Sequence, residues 1–202
     1  MDGKAIERRV QILEIALQLF AEQGYHRTKI SDIVREAGVA QGTFYWYFKS
    51  KEAIALEIIE SGQTELLKVV SQGYRQSGGT IQDAVKASEK LFGDLFLFSE
   101  KNKSLIELLL RGIETEDSVQ QAIIKTRQQL EKAFQKNIER AIELGILPEK
   151  DSALQSALLM SLVEGILSKW LFDSDSEHLK SKTAGELARE VVRFEFFGLL
   201  GI

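Results

Sequence analysis

The chain has 202 residues, 26 basic and 30 acidic side chains, a formal net charge of −4 and no cysteine. This length suits one large domain, or a small domain joined to a medium one, with a sizeable core. The lack of cysteine excludes disulfides, thiolate nucleophiles and cysteine-ligated metals, and the two histidines lie too far apart in sequence to suggest a metal site. The N-terminus has no signal-peptide core and no apolar run reaches membrane-spanning length, so we expect a cytoplasmic protein.

The first predicted helix covers residues 5–23 and is followed by Gly24, which ends it. Its apolar residues recur every three or four positions, a spacing typical of a helix with one buried face. These residues are Ile6, Val10, Leu13, Leu17 and Phe20.

Two short helices are predicted between Thr28 and Lys51. Thr28 is placed to cap the first of them, because its hydroxyl can accept a hydrogen bond from a backbone N–H of the first turn. Gly38 follows the apolar stripe at a position that favours positive φ, and the next helix can begin at Gln41. Two short helices joined by a glycine-containing turn are typical of the helix-turn-helix, whose second helix enters the major groove of DNA.

The helix that begins at Gln41 is unusually aromatic. Phe44 and Phe48 share its inward face, while the tryptophan and tyrosines fall on the outside, which is rare on a short helix without a partner. Thr and Gln side chains read base edges, and Tyr, Trp and Lys side chains donate to phosphates. The residues that we expect to contact DNA here are Gln41, Gly42, Thr43, Tyr45, Trp46, Tyr47, Lys49 and Lys51.

Residues 37–54, AGVAQGTFYWYFKSKEAI, resemble the DNA-binding signature of the TetR/AcrR family of bacterial transcriptional regulators. The resemblance extends upstream to Ile6 and covers about a quarter of the chain. It implies a phosphate contact at the start of the preceding helix. Lys29 stands where the family often has Thr or Ser, so that contact is assigned to Thr28 or Lys29. The alternative interpretation is that the aromatic residues only pack a small helical domain.

Charge is distributed in a way that agrees with this interpretation. Between Tyr25 and Lys51 basic residues outnumber acidic ones by five to two, although the whole chain is acidic. An acidic protein can bind DNA when its positive charge is segregated.

Six further helices are predicted downstream. The first of them begins at Lys51, follows the cap Ser50 and ends near Tyr74; the others cover residues 80–101, 102–114, 118–144, 151–172 and 183–200. Polar loops are predicted at 75–79 and 173–182. No strand pattern appears, so the predicted fold class is all-α. We expect a three-helix DNA-binding head, residues 1–50, on a larger helical bundle, residues 51–202, that binds a ligand and dimerises.

The last two predicted helices are apolar on more than one face. Such helices must be buried on both sides, and the simplest partner is a second copy of the chain in a four-helix interface. The family resembled here dimerises in this way. The residues assigned to the interface are Leu159, Val163, Leu167, Val191 and Phe194.

Aromatic residues between positions 80 and 172 define a candidate ligand site between helices, unless they only fill the core. The candidates are Phe92, Phe96, Phe134 and Trp170, with Arg111 for an anionic group of the ligand. Arg111 has an alternative role in an ion pair with Glu107 or Glu114. Glu164 lies in an apolar run, and two roles stay open for it. It contacts a cationic ligand, or it caps a polar patch at the dimer seam.

These features predict a homodimeric, ligand-responsive transcriptional regulator, most readily a repressor released from a palindromic operator by a small apolar effector. The second half broadly resembles fatty-acyl-responsive members of the family, so an acyl-CoA or a fatty acid is one candidate effector. The alternative is a helical interaction or sensor protein without DNA binding. The sequence has neither a histidine pair nor a phosphate-cradling glycine loop that would indicate an enzyme. We therefore assign no catalytic residue and no cofactor.

Overall fold

The computed structural model describes residues 3–73, 76–112 and 117–198, and every regular element in these ranges is helical. The predicted all-α fold is confirmed. In chain order the helices are α1 (Gly3–Gln23), α2 (Ile30–Glu36), α3 (Gln41–Tyr47), α4 (Lys51–Ser71), α5 (Ile81–Lys101), α6 (Lys103–Arg111), α7 (Asp117–Glu143), α8 (Ser152–Leu171), α9 (Glu177–Lys180) and α10 (Ala184–Phe197). No helix in the described ranges is long and apolar enough to cross a membrane.

The observed helices include one short helix that was not predicted. Residues 173–182 were predicted as loop, but α9 forms one helical turn there after Ser176. The predicted ends at Tyr74, at 113–114 and at 199–200 lie outside the described residues. The start of α10 shows ordinary capping chemistry: the Thr183 hydroxyl accepts from the backbone N–H of Glu186, whose carboxylate accepts from the Thr183 backbone N–H in return.

The chain divides into two compact units. Unit 1 comprises Met1–Gln63 and Ser104–Thr126, and its core is built from α1, α2, α3, the first part of α4, α6 and the first part of α7. Within unit 1, α4 and α6 approach so closely that a Cβ at Gly62 would lie 2.6 Å from a methyl carbon of Leu105. This close approach explains a glycine in the middle of a long helix, where it otherwise costs about 1 kcal/mol.

Unit 2 comprises Thr64–Lys103 and Arg127–Ile202, in which α5 packs along α10. Its aromatic core joins helices that are distant in sequence. The rings of Phe92 and Phe134 stack with centroids 5.9 Å apart, and those of Phe96 and Trp170 meet edge to face at 6.0 Å. The Trp170 indole N–H donates to the Lys182 carbonyl at 3.1 Å, so the one polar atom of this buried ring is satisfied.

Candidate DNA-reading surface and effector cavity

The orientation of α3 is fixed by two inward phenylalanines. Phe44 has no exposed surface and Phe48 is buried, and their ring centroids lie 5.7 Å apart. Because α3 has only seven residues, this burial, rather than helix propensity, holds it in place.

The opposite side of α3 is exposed. Trp46 retains 70% of its surface in contact with solvent and Tyr45 retains 51%. We call this side the reading surface; its members are Gln41, Gly42, Thr43, Tyr45, Trp46 and Tyr47, of which Thr43 and Tyr47 are half-buried. Lys49 is exposed just beyond the end of the helix. The structure therefore brings these predicted site residues onto one face or its border.

Thr28 does not belong to that surface. It has no exposed surface, and its hydroxyl donates to the Leu19 and Gly24 carbonyls at 3.1 and 2.9 Å. The residue that caps α2 is Lys29, whose backbone N–H donates to the Asp32 carboxylate at 3.0 Å. This hydrogen bond holds the pKa of Asp32 below its usual value. The predicted cap at Thr28 is wrong, and of the two candidates for a phosphate contact Lys29 is the exposed one.

Lys51 is also engaged inside the protein. Its ammonium donates to the carbonyls of Tyr25 and Thr28 at 2.7 and 3.1 Å, and it lies 4.1 Å from the centroid of the Tyr25 ring. Lys51 therefore ties the start of α4 to the loop between α1 and α2, and we reassign it from a phosphate contact to a structural anchor.

Arg9 makes a clamp that the sequence did not reveal. Its guanidinium forms a bidentate pair with the Glu57 carboxylate, with Nη2 2.6 Å from Oε2, and lies 4.9 Å from the centroid of the Phe48 ring. The clamp joins α1 to α4 and covers one of the phenylalanines that orient α3. Its partners are 48 positions apart, so no local pattern could have indicated it.

Arg111 lies in unit 1, which corrects its assignment to the effector site. It pairs with Glu107 at 2.8 Å, and two thirds of its side chain is exposed, in a surface groove beside His26 and Arg27. The predicted ion pair with Glu107 is confirmed, while Glu114 lies outside the described residues. Glu164, whose role was left open, pairs with Arg127 within unit 2, with Nε 2.7 Å from Oε1.

Unit 2 contains a small, partly open pocket, which we call the inner chamber. About 60 Å³ of it is open to the centres of water-sized molecules, enough for roughly four waters. Of the predicted ligand-site residues, Phe92 and Phe134 line it, whereas Phe96 and Trp170 pack against each other outside it. Its lining residues are Gly73, Ala84, Ala87, Ser88, Leu91, Phe92, Phe134, Asn137, Ile138, Ala141, Leu147, Leu159, Glu195 and Phe196.

A second cavity, the outer groove, adjoins the inner chamber. It offers about 310 Å³ on the same measure, and its own walls include Pro148, Lys150, Gln155, Leu158, Leu162 and Phe194. Five residues line both cavities and form what we call the partition: Ile138, Leu147, Leu159, Glu195 and Phe196. The partition is apolar except for one carboxyl group.

That carboxyl group belongs to Glu195. Glu195 is an exposed residue, but its carboxyl group has mainly apolar neighbours in the walls of the two cavities. This loss of hydration raises the pKa of Glu195 to about 7, and a hydrogen bond with the Ser88 hydroxyl only partly opposes the shift.

The inner chamber also touches the end of α4. The Asn137 side-chain amide, in the chamber wall, donates to the Val70 carbonyl at 2.9 Å. Gly73 lies so close to Leu91 and Asn137 that a Cβ there would come within 2.3 and 2.7 Å of their side chains. Any group that enters the chamber and moves Asn137 must therefore disturb the last turn of α4.

Most residues assigned to the dimer interface are core residues of the single chain. Leu159, Val163, Leu167 and Val191 are buried by unit 2 itself, and only Phe194 is exposed. The large apolar side chains that α8 and α10 expose are instead Leu154, Leu158, Phe194 and Phe197. On α8 they continue into exposed small residues at Ser161, Gly165 and Ser168, which allow close helix approach.

The sequence is similar to those of helix-turn-helix transcriptional regulators. Residues 12–58 match the family model described as bacterial regulatory proteins, tetR family. The chain is 27% identical to the HTH-type transcriptional regulator YdgC of Bacillus subtilis (strain 168), over 99% of this chain and 96% of the relative. It is 25% identical to the HTH-type transcriptional regulator AcrR of Shigella flexneri, over 92% of this chain and 88% of the relative.

A solved structure shares the fold. The transcriptional regulator FadR from Bacillus subtilis, in complex with stearoyl-CoA, matches with a TM-score of 0.75 and 20% identity, covering 94% of this chain and 98% of that one. The matched model spans the helix-turn-helix, and the similarity in sequence and fold extends through both units. Residues 12–58 thus carry the DNA-binding domain of the bacterial tetR family of regulatory proteins, and the chain resembles helix-turn-helix transcriptional regulators along its length.

Proposed function

We propose that the chain acts as a homodimeric repressor that binds a palindromic operator through its two reading surfaces and is released when an apolar effector enters unit 2. The observation that carries the DNA-binding part is the exposure of Trp46 and Tyr45 on a helix whose opposite face is fully buried. An exposed aromatic pair of this kind serves a partner rather than a core.

The reading surface has the donors and acceptors that duplex DNA requires. Gln41 and Thr43, in the first turn of α3, are placed to contact base edges, and Gly42 between them lets the backbone approach closely. Tyr45, Trp46, Tyr47, Lys49 and Lys29 are assigned to the sugar-phosphate backbone, which positions the helix without specifying sequence.

A second copy of the chain fits the exposed apolar face of α8 and α10. Leu154, Leu158, Phe194 and Phe197 form contiguous apolar edges of these helices, and isolated monomers rarely expose such patches without a partner. A two-fold axis there would place identical α8 and α10 surfaces against each other. Two reading surfaces related by that axis would match a palindromic site.

The effector site is assigned to the inner chamber and the outer groove, so Leu158 and Phe194, which line the groove, would border both the effector and the second copy of the chain. The chamber alone is too small for an acyl chain, so an effector must open the partition and occupy both cavities. It then binds the opened state only, and such differential affinity is what shifts a population. Burial of ten methylenes would contribute about 8 kcal/mol before ordering costs, whereas allosteric coupling needs about 1–3 kcal/mol. The stearoyl-CoA held by FadR supports a long apolar effector.

The signal would pass along α4. This helix runs without a break from Lys51 to Ser71, with its start anchored in unit 1 by Lys51 and its end bonded in unit 2 through Val70 and Asn137. Displacement of Asn137 by an effector would move the end of α4, and because the helix is continuous, this movement reaches the Lys51 anchor.

The experiment is a release assay. Duplexes enriched from random-sequence DNA by the protein are labelled, bound and titrated with acyl-CoAs, fatty acids and aromatic drugs, while fluorescence anisotropy reports the bound fraction. We expect two protomers per duplex and release by compounds with a long apolar body. Release by small polar metabolites alone would contradict the effector assignment, and enrichment of no sequence would favour a sensor without DNA binding.

A further inference from the structure

We propose that Glu195 is a specificity-determining residue that selects an effector with an apolar body and a cationic nitrogen. The inference rests on the proposed effector site and names the chemistry of the ligand. It comes from the position of Glu195 in the partition. An effector that fills both cavities must lie beside the carboxyl group of Glu195.

The charged groups that face an effector are few. Among the residues that the structure describes, Glu195 is the one acidic or basic residue that lines the inner chamber, and Lys150 is the other that lines the outer groove. None of the ion pairs in the described part of the chain includes Glu195. The hydroxyl of Ser88, on α5, is its hydrogen-bond partner in the chamber. Glu195 therefore has no ion-pair partner among the described residues, and the other four residues of the partition are apolar.

This environment favours a cation over an anion. A ligand carboxylate at the partition would add a like charge beside Glu195 in an apolar site, which raises the cost of burying either group. A ligand cation would supply the missing partner and form a charge-assisted contact. The stacked rings of Phe92 and Phe134, also in the chamber wall, present aromatic surface that attracts a cation further.

The acid–base behaviour of Glu195 supports the same choice. Its pKa of about 7 means that the ligand-free chamber holds a mixture of carboxylic acid and carboxylate near neutral pH. A cation stabilises the carboxylate and so lowers this pKa, and binding must release part of a proton. An anionic ligand would raise the pKa and take up a proton instead.

The test is isothermal titration calorimetry with three probes that share a ten-carbon chain: decyltrimethylammonium, decanol and decanoate, all below their micelle concentrations. The quaternary ammonium carries a charge that does not titrate, so proton release, measured at pH 7 in buffers of different ionisation enthalpy, reports on the protein. For the wild type we expect the cation to bind roughly tenfold or more tightly than the alcohol, decanoate to bind most weakly, and cation binding to release a fraction of a proton.

The variant Glu195→Gln keeps the size of the side chain and removes its charge. We expect it to lose both the preference for the cation and the proton release, while its affinity for decanol stays within about twofold. The matched control is Glu190→Gln, an exposed residue on the same helix that lines neither cavity; it should behave as the wild type.

Three results would overturn the inference: tighter wild-type binding of decanoate than of the cation, an unchanged cation preference in Glu195→Gln, or no binding of any probe.

The same probes are then added to the protein–DNA complex. A cation preference in calorimetry without release of DNA would contradict the proposed function and leave the role of Glu195 standing. Release by decanoate in preference to the cation would contradict the role of Glu195 alone.

Discussion

The two units place their candidate functional groups in opposite ways. In unit 1 the groups lie on the outside of α3, and the burial of Phe44 and Phe48 supports them from beneath. In unit 2 the groups line a small, partly open chamber between helices, and its one acid among the described residues, Glu195, is contributed by a different helix from Ser88, Phe92 or Phe134. A surface that must match a rigid duplex is best built on one short, firmly held helix, whereas a site that must change volume needs walls from several helices that can separate.

The largest effect is expected from a charge in the interior of unit 2. Val191→Glu would bury a carboxylate where the wild-type residue is 1% exposed, which costs several kcal/mol, so the variant should fail to fold. Phe194→Glu, on the exposed side of the same helix, should instead give a folded monomer, because Phe194 is assigned to the dimer interface and is 41% exposed.

Circular dichroism and analytical ultracentrifugation distinguish these outcomes. A folded dimer for Phe194→Glu would place the interface elsewhere than α10. A folded protein for Val191→Glu would show that α10 is not packed against unit 2 as the structure has it.

The next largest effect separates the two faces of α3. Phe44→Ala should destabilise unit 1 by about 3–5 kcal/mol, because it leaves a cavity beneath the reading surface. Trp46→Ala should change stability by no more than about 0.5 kcal/mol and yet weaken DNA binding. Urea unfolding of both variants, followed by DNA titration of Trp46→Ala, tests this contrast. If Trp46→Ala were the more destabilising substitution, the assignment of its face would be wrong.

A smaller effect distinguishes the two lysines that follow α3. Lys51→Ala should cost about 1–3 kcal/mol of folding free energy, because the carbonyls of Tyr25 and Thr28 lose their donor. Lys49→Ala should leave folding unchanged and reduce the slope of log K against log salt by about one unit, as for the loss of one phosphate contact. Thermal unfolding and DNA titrations at several salt concentrations measure both; the reverse pattern would return Lys51 to the DNA contact.

The smallest expected effect lies in the coupling between effector binding and DNA release. Asn137→Leu removes the donor to Val70 while keeping a side chain of similar size, and we expect the effector to bind nearly as well but to release DNA less completely, by about 1 kcal/mol of coupling free energy. The matched control is Gln128→Leu, an exposed position on the same helix. Equal loss of effector binding and of release would mean that Asn137 holds the effector rather than transmitting its presence.

The sequence predicted the features that depend on one helix at a time. The faces of α3 follow from helical periodicity, so Phe44 and Trp46 were assigned to the correct sides. The reassignments of Thr28 and Lys51 have a different source, because Thr28 bonds back to Leu19 of α1 and Lys51 reaches across to Tyr25, and neither partner belongs to the helix pattern around the residue itself. Local chemistry offered each of them a plausible exposed role.

Unit 2 was less predictable, because its apolar helices have several possible partners. The two-sided apolar pattern of α8 was attributed to a dimer, yet Leu159 and Leu167 are buried within the single chain. Glu195 was missed because its hydrogen-bond partner Ser88 is distant in sequence, and one glutamate near the end of an amphipathic helix looks like a solvated residue. The cavity wall is a property of the assembled bundle.

The most direct test of the account is selection of binding sites from random duplex DNA, carried out in parallel with the wild type and with Thr43→Ala. We expect the wild type to enrich an inverted repeat, and Thr43→Ala to enrich the same repeat with relaxed preference at one base pair in each half-site, since a lost base contact costs about 1–3 kcal/mol at that position. Enrichment of no sequence by the wild type, or an identical preference for both proteins, would contradict the claim that the outward face of α3 reads DNA.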